Sequence, residues 1–280
     1  MVNIESSGIT DIGRKREQNE DSLFYDDAMG LYGVADGMGG HNAGEVASRL
    51  VVQTIRDYLN QNPGADPLQK SLNTDGKFSK EARRLLAGIY LSNRVVHQAA
   101  LQNELYRGMG STVSAVYVTD KTFIVANVGD SLVYLIRKGQ IKLLSVPHTL
   151  VAEQAELDPD NAELLWRDFK HVLTRAMGVD SSVKADVNEI PFFRDDILVI
   201  SSDGLTDKAT PEEILELVDD QGSDEACRKL VDLANARGGD DNITAIVLKI
   251  KSDANHNSGI SAWLKKTVLK FFNTHSHAKF

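Results

Sequence analysis

Alternating or β-branched apolar residues recur at about 4–11, 21–26, 31–36, 111–119, 122–128, 131–137, 140–144, 183–190, 196–202 and 242–250, and each run predicts a strand. Apolar residues spaced three and four apart predict helices at about 42–60, 79–104, 149–156, 160–167, 210–219 and 223–237. Strands come in groups, then helices, then strands again. In "FIVANVGDSLVYLIRKGQIKLL" successive strands are joined by short turns, with "RKGQ" as a hairpin. This grouping predicts an α+β layered fold rather than a wound βαβ sheet. The polar, turn-rich stretch 60–77 reads as a surface loop. The patterning continues to about residue 250, which predicts one domain over 1–250, a polar linker at 251–258 and a separate tail at 259–280.

Composition narrows the function classes. Hydrophobic residues make up 42% and charged residues 25% of the 280, as in ordinary globular proteins. A net charge of -9 argues against nucleic acid as the main partner, because a phosphate backbone requires a basic surface. One cysteine, Cys227, excludes an intramolecular disulfide and a cysteine-rich zinc site; in "EACRKLVDLA" it reads as a packed helix residue. It also cannot seed the C-x5-R loop of cysteine-based phosphatases, because Leu233 stands at the arginine position. The first residues lack the apolar run of a signal peptide, and no stretch is long enough to span a bilayer. The expected location is cytoplasmic.

Candidate chemistry lies at the strand ends. In "LYGVADGMGGHNAGEVA" an apolar strand ends in Asp36, turns through glycines and opens into a helix. Such a turn could cradle a dinucleotide, but a Rossmann fingerprint needs a glycine where Asn42 stands. The alternatives are a metal held by Asp36 or a plain turn. Four other places share the setting. Asp203 follows the strand in "ILVISSDG", Asp241 precedes the strand in "DDNITAIVL", Asp130 sits at the break in "ANVGDSLV", and Glu20-Asp21 lead into "SLFY". Turn preference explains any one of these but is a poor account of the set. Oxygen-only ligands suit Mg²⁺ or Mn²⁺ rather than zinc or copper.

The ordered segments "TDIGRKREQNED", "VADGMGGHNAGEVA", "GMGSTVSAV", "ANVGDS", "VLTRAMG", "SSDGLTD" and "GGDDNITAIVL" resemble those of the type 2C, metal-dependent serine/threonine protein phosphatases in their compact bacterial form. The resemblance implies a four-layer α-β-β-α sandwich with two central antiparallel sheets. It implies that Asp36 bridges two divalent cations, Mn²⁺ or Mg²⁺, with the Gly37 carbonyl on the second and Asp203 and Asp241 completing the first. Glu20 and Asp21 would act through waters on the metals, and Asp130 would hold a weaker third ion. Arg16 would grip the substrate phosphate with fork geometry. His41, within the Asp36 loop, reads either as approaching the substrate or as a surface histidine at the helix start. The implied reaction is in-line hydrolysis of phosphoserine or phosphothreonine by water that two nearby cations activate. Its implied partners are phosphorylated proteins and an opposing serine/threonine kinase.

Departures from the family pattern bear on detail. Met38 stands where many relatives carry a histidine proposed as general acid, Leu132 replaces the usual arginine after "GDS", and Pro147-His148 replaces a common Asp-His pair. His148 and His171 read as structural or solvent-exposed, and Trp166 as packing. Two rivals share these residues: the same fold as a binding module, and a phosphohydrolase of small esters. In the tail, Ile260, Trp263, Leu264, Val268 and Phe271 recur at helical spacing. That amphipathic helix would dock on the domain, on a partner or on a membrane surface.

Overall fold

A computed structural model describes residues 2–39, 43–61, 78–158 and 169–252. The predicted helix at 160–167, Trp166, His41 and the tail at 259–280 lie outside the described residues.

Two antiparallel sheets stack face to face. One has the order β1 (Asn3–Asp11), β11 (Ile243–Ser252), β10 (Ile197–Ser201), β7 (Leu132–Arg137), β8 (Gln140–Leu143). The other runs β2 (Asp21–Asp26), β3 (Leu31–Met38), β5 (Val113–Val118), β6 (Thr122–Val128), β9 (Asp186–Pro191), and the two-residue β4 (Gly110–Ser111) pairs the end of β3. Side chains alternate across each strand. Leu198 and Ile200 of β10, Ile246 and Leu248 of β11, and Tyr32 and Val34 of β3 meet between the sheets. The opposite residues Val199, Ala245 and Val247 face helices instead. Burial on both faces is why these strands read as unbroken apolar runs.

Helices cover both outer faces. α1 (Ala43–Gln61) and α2 (Lys80–Gln102) lay Ala47, Val51, Ile55, Leu85 and Ile89 on Ala35, Ala115 and Ile124. On the other face, α6 (Ser223–Ala236) covers β1 and β11, and α5 (Pro211–Val218) packs against α6 and β8, burying Ile214, Cys227 and Leu230. Each such buried aliphatic side chain contributes about 1.5–3 kcal/mol. Among the described residues there are also two short α-helices, α3 (Leu150–Leu157) and α4 (Asp203–Thr206). Local signals hold at the ends: Ser79 caps α2 through Ala82 N–H, and Thr210 with Glu213 forms a capping box on α5. The four-layer α-β-β-α expectation is borne out.

Three boundaries differ from the pattern. The expected strand at 111–119 is two pieces, because Thr112 turns away to hydrogen-bond Asp36 while β4 follows the end of β3. β9 starts at Asp186, later than 183, and β11 extends to Ser252.

Candidate active site

The antiparallel register brings the candidate carboxylates to one end of the sandwich. Ser201 at the end of β10 pairs with Leu132 and Ala245, which places Asp203, Asp130 and Asp241 around the same strand ends. In the second sheet Asp36 near the end of β3 pairs with Asp21 at the start of β2. Arg16, Glu20, Asp36, Gly37, Asp130, Asp203 and Asp241 all line a single cleft of about 690 Å³. Asp21 does not line it; it is buried beside Asp36, where Ser202 Oγ and Thr244 Oγ1 donate to its Oδ2 at 2.7 and 2.6 Å.

Gly37 shows why the turn is built from glycine. A Cβ there would lie 2.1 Å from the Gly44 carbonyl oxygen and 2.6 Å from that of Glu20. Only glycine lets the first turn of α1 close onto the end of β3. Ser111 Oγ and Thr112 N–H both donate to the Asp36 carbonyl, fixing the backbone under its carboxylate. Asn242, buried behind Asp241, accepts from Glu20 N–H and donates to the carbonyls of Ile12 and Gln18, tying the Arg16 loop to β11. Arg16 reaches Asp241 at 2.7 Å.

Crowding of like charge dominates the electrostatics. Burial, then repulsion from Asp21, Asp203, Asp130 and Asp241, holds the Asp36 carboxyl well above the usual carboxylate range. Burial pushes Asp21 and Asp130 from 3.8 to about 7, with Asp203 adding repulsion in both cases, and burial raises Glu20 as well. Asp21 Oδ1 and Asp203 Oδ1 are buried and make no hydrogen bond within the chain. Converging carboxylates with orphaned buried oxygens, beside a glycine backbone that lines the same cleft, fit hard divalent cations.

Sequence reasoning missed several neighbours. His171 is exposed, yet its Nδ1 lies 3.3 Å from Asp203 Oδ2 and its Nε2 3.4 Å from Asp207 Oδ2; a hydrogen bond to Asp203 raises its pKa. Asp130, His171 and Asp203 offer ligand atoms that all lie within 4.8 Å of one another. His148 is buried: its Nδ1 accepts from Gly129 N–H at 3.1 Å, so Nε2 carries the proton and meets Asp186 at 2.8 Å. Of the two readings for His148, the structural one holds. No local pattern flags these contacts, since the partners of His148 and His171 lie between 19 and 41 positions away. Cys227 is remote from the cleft chemistry; its Sγ donates to the Ser7 carbonyl, and burial pushes the thiol up to about 12.

Known proteins resemble this chain in sequence and in fold. A sequence model of the protein phosphatase 2C family matches residues 13–248. Protein phosphatase PhpP of Streptococcus pneumoniae is 32% identical over 258 residues, covering 89% of this chain and 99% of its own. The serine/threonine phosphatase PstP/Ppp of Mycobacterium tuberculosis superposes with a TM-score of 0.78 at 27% identity, over 90% of this chain and 100% of its own. A structure of the PstP catalytic domain in complex with two manganese ions aligns with a TM-score of 0.75 at 28% identity, covering 89% and 99% of the two chains.

Proposed function

The chain belongs to the protein phosphatase 2C family, and we propose that it hydrolyses phosphoserine and phosphothreonine in proteins, reversing an opposing serine/threonine kinase. The observation that carries this reading is the cluster of Asp36, Asp130, Asp203 and Asp241 lining one cleft, with Asp203 Oδ1 buried and unpaired among them. In this reading Asp36, the Gly37 carbonyl, Asp203 and Asp241 hold two divalent cations, Mn²⁺ or Mg²⁺, and Asp130 serves a weaker third. Bound there, the cations supply the positive charge that makes water acidic enough to attack phosphorus near neutral pH and that neutralises the phosphoryl oxygens.

The chain's own residues do the remaining work. The Arg16 guanidinium, on the exposed loop beside Asp241, grips the phosphate and sets it in line. Glu20 orients groups at the cleft wall, its backbone pinned by Asn242 and Gly37. Asp21 acts from beneath, its Oδ2 fixed by Ser202 and Thr244 so that Oδ1 faces a defined direction. His41 approaches the substrate in this reading. Met38 offers no proton, so the alkoxide leaving group takes its proton from elsewhere in the cleft.

The location that fits this role is the cytoplasm; among the described residues no helix is long and apolar enough to cross a membrane. The unit that carries the chemistry runs to the end of β11 at Ser252, with a tail helix at 259–280 that docks on the domain, on a partner or on a membrane surface. Hydrolysis of a phosphothreonine peptide against p-nitrophenyl phosphate, in Mn²⁺, Mg²⁺ or chelator, tests the proposal. A clear preference for the peptide supports it. Equal efficiency on both substrates would favour a small-ester phosphohydrolase, and no hydrolysis of either would favour a binding module.

A further inference from the structure

Met38 and Val179 form an apolar ledge that begins two residues from Asp36. Met38 pairs with Gly110 in β4, while the next residue, Ser111, pairs with Gly37 on one side and bridges to Met177 on the other. The chain after Met177 therefore runs beside β4 and carries Val179 into the cleft. A Cβ on Gly110 would come within 2.5 Å of Met38 Cε and 3.1 Å of Val179 Cγ2. Both side-chain tips therefore lie close above the Gly110 backbone, on the same wall of the cleft.

The ledge is fixed from behind. Asn93 on α2, 1% exposed, accepts from Gly178 N–H at 2.7 Å and donates to the Asp180 carbonyl at 3.0 Å. One carboxamide thus clamps the backbone on both sides of Val179. His97 Nδ1 adds a contact to the Gly178 carbonyl at 3.0 Å. Val179 nevertheless stays 52% exposed. A single exposed aliphatic residue needs no explanation. Here the exposed one abuts a second in the reaction cleft and is held by a buried amide, which is how a recognition surface is pre-organised. Asp180 and Lys184 line the same wall with opposite charges, so the ledge is its discriminating feature.

We propose that Met38 and Val179 are specificity determinants that take an apolar side chain flanking the phosphorylated residue of a peptide substrate. The inference rests on the cleft being a phosphopeptide site. A strand advances about 3.3 Å per residue, so Met38 lies about 7 Å along β3 from Asp36. That is within reach of the residue beside one whose phosphate sits over the carboxylates. The methionine thioether is flexible enough to follow several aliphatic shapes.

The test is steady-state hydrolysis by the Mn²⁺-loaded full chain, wild type and Val179→Asp. The substrates are phosphothreonine peptides with Leu, Gly or Glu on either side of the phosphorylated residue, and p-nitrophenyl phosphate. At one of the two flanking positions, wild type should favour Leu over Gly and Glu about tenfold in kcat/KM, mainly through KM, the discrimination an apolar contact gives. In Val179→Asp that preference should vanish, and kcat/KM for the Leu peptide should fall about tenfold relative to that for the small ester. Val179 is exposed, so thermal melts of the variant should match wild type. Equal use of Leu, Gly and Glu peptides by wild type, or a Leu preference that survives in Val179→Asp, would overturn the proposal. A wild type that cleaves the ester but no peptide would overturn the phosphopeptide reading beneath it.

Discussion

Asp21 and Asp36 are register partners on adjacent antiparallel strands, so two carboxylates occupy one rung of the sheet at the edge of the cleft. Burial raises the cost of ionising Asp36, and repulsion from Asp21 raises it further. A carboxyl whose folded pKa lies above its unfolded value binds more protons in the folded state. Stability then falls as pH rises between the two values. For Asp21 and Asp130 that window runs from 3.8 to about 7. We expect the melting temperature of chelated protein to drop between pH 5 and pH 8, and Mn²⁺ to raise it more at pH 8 than at pH 5. A chelated protein that grows more stable over that range would contradict the shifts.

Substitution Asp36→Asn separates function from stability. Removing partners that merely orient a ligand typically costs 10–100-fold in metal affinity or activity, so loss of the central carboxylate should lower kcat for a phosphopeptide by at least about a hundredfold. The same change removes a charge crowded by Asp21, Asp203 and Asp130. The chelated variant should therefore melt no lower than chelated wild type at pH 8. Calorimetry should show the Mn²⁺ isotherm weakened or lost. An unaltered isotherm would remove Asp36 from the cation site.

Arg16→Ala should raise KM for a phosphopeptide more than it lowers kcat, because the guanidinium binds the ground-state phosphate as well as the transition state. Arg16→Lys should recover only part of the loss, since an ammonium cannot make the fork contact. An effect confined to kcat would mean that Arg16 acts chiefly on the transition state.

Far from the cleft, Arg137 makes a bidentate contact with Asp196, at 2.7 and 2.6 Å, with both side chains nearly buried. Asp196→Ala removes the carboxylate from a buried guanidinium that keeps its contacts to the Pro191 carbonyl and the Phe193 ring, and should destabilise the fold by about 3 kcal/mol. That corresponds to a melting temperature lower by about 6–12 °C. Turnover per folded molecule should stay near wild type below the transition. A large fall in kcat for fully folded variant would show that this pair is coupled to the site.

Much of this was legible in the sequence because its signals are local. Strand-end aspartates such as Asp36 and Asp203 sit beside glycine within a few residues of an apolar run, and antiparallel pairing then carries them to one edge. Thr210 and Glu213 likewise announce the start of α5 by spacing alone. What was illegible depends on residues distant in sequence. Asn93 holds Gly178 and Asp180 from 85 and 87 positions away, and nothing in its helix distinguishes it from an ordinary polar residue. His171 meets Asp203 only because the segment before Met177 folds back over the cleft. The break at Thr112 escaped for a similar reason: its hydroxyl accepts from Asp36 N–H, a tertiary contact that overrides a run with strong strand propensity.

Metal dependence is the claim on which the rest stands. We would strip the wild-type chain with chelator, titrate Mn²⁺ back, and follow heat of binding and hydrolysis of a phosphothreonine peptide in the same samples. Turnover should be absent after chelation and appear as two equivalents bind. Undiminished turnover in the chelated, ion-free protein would contradict a cation-dependent hydrolase at these carboxylates.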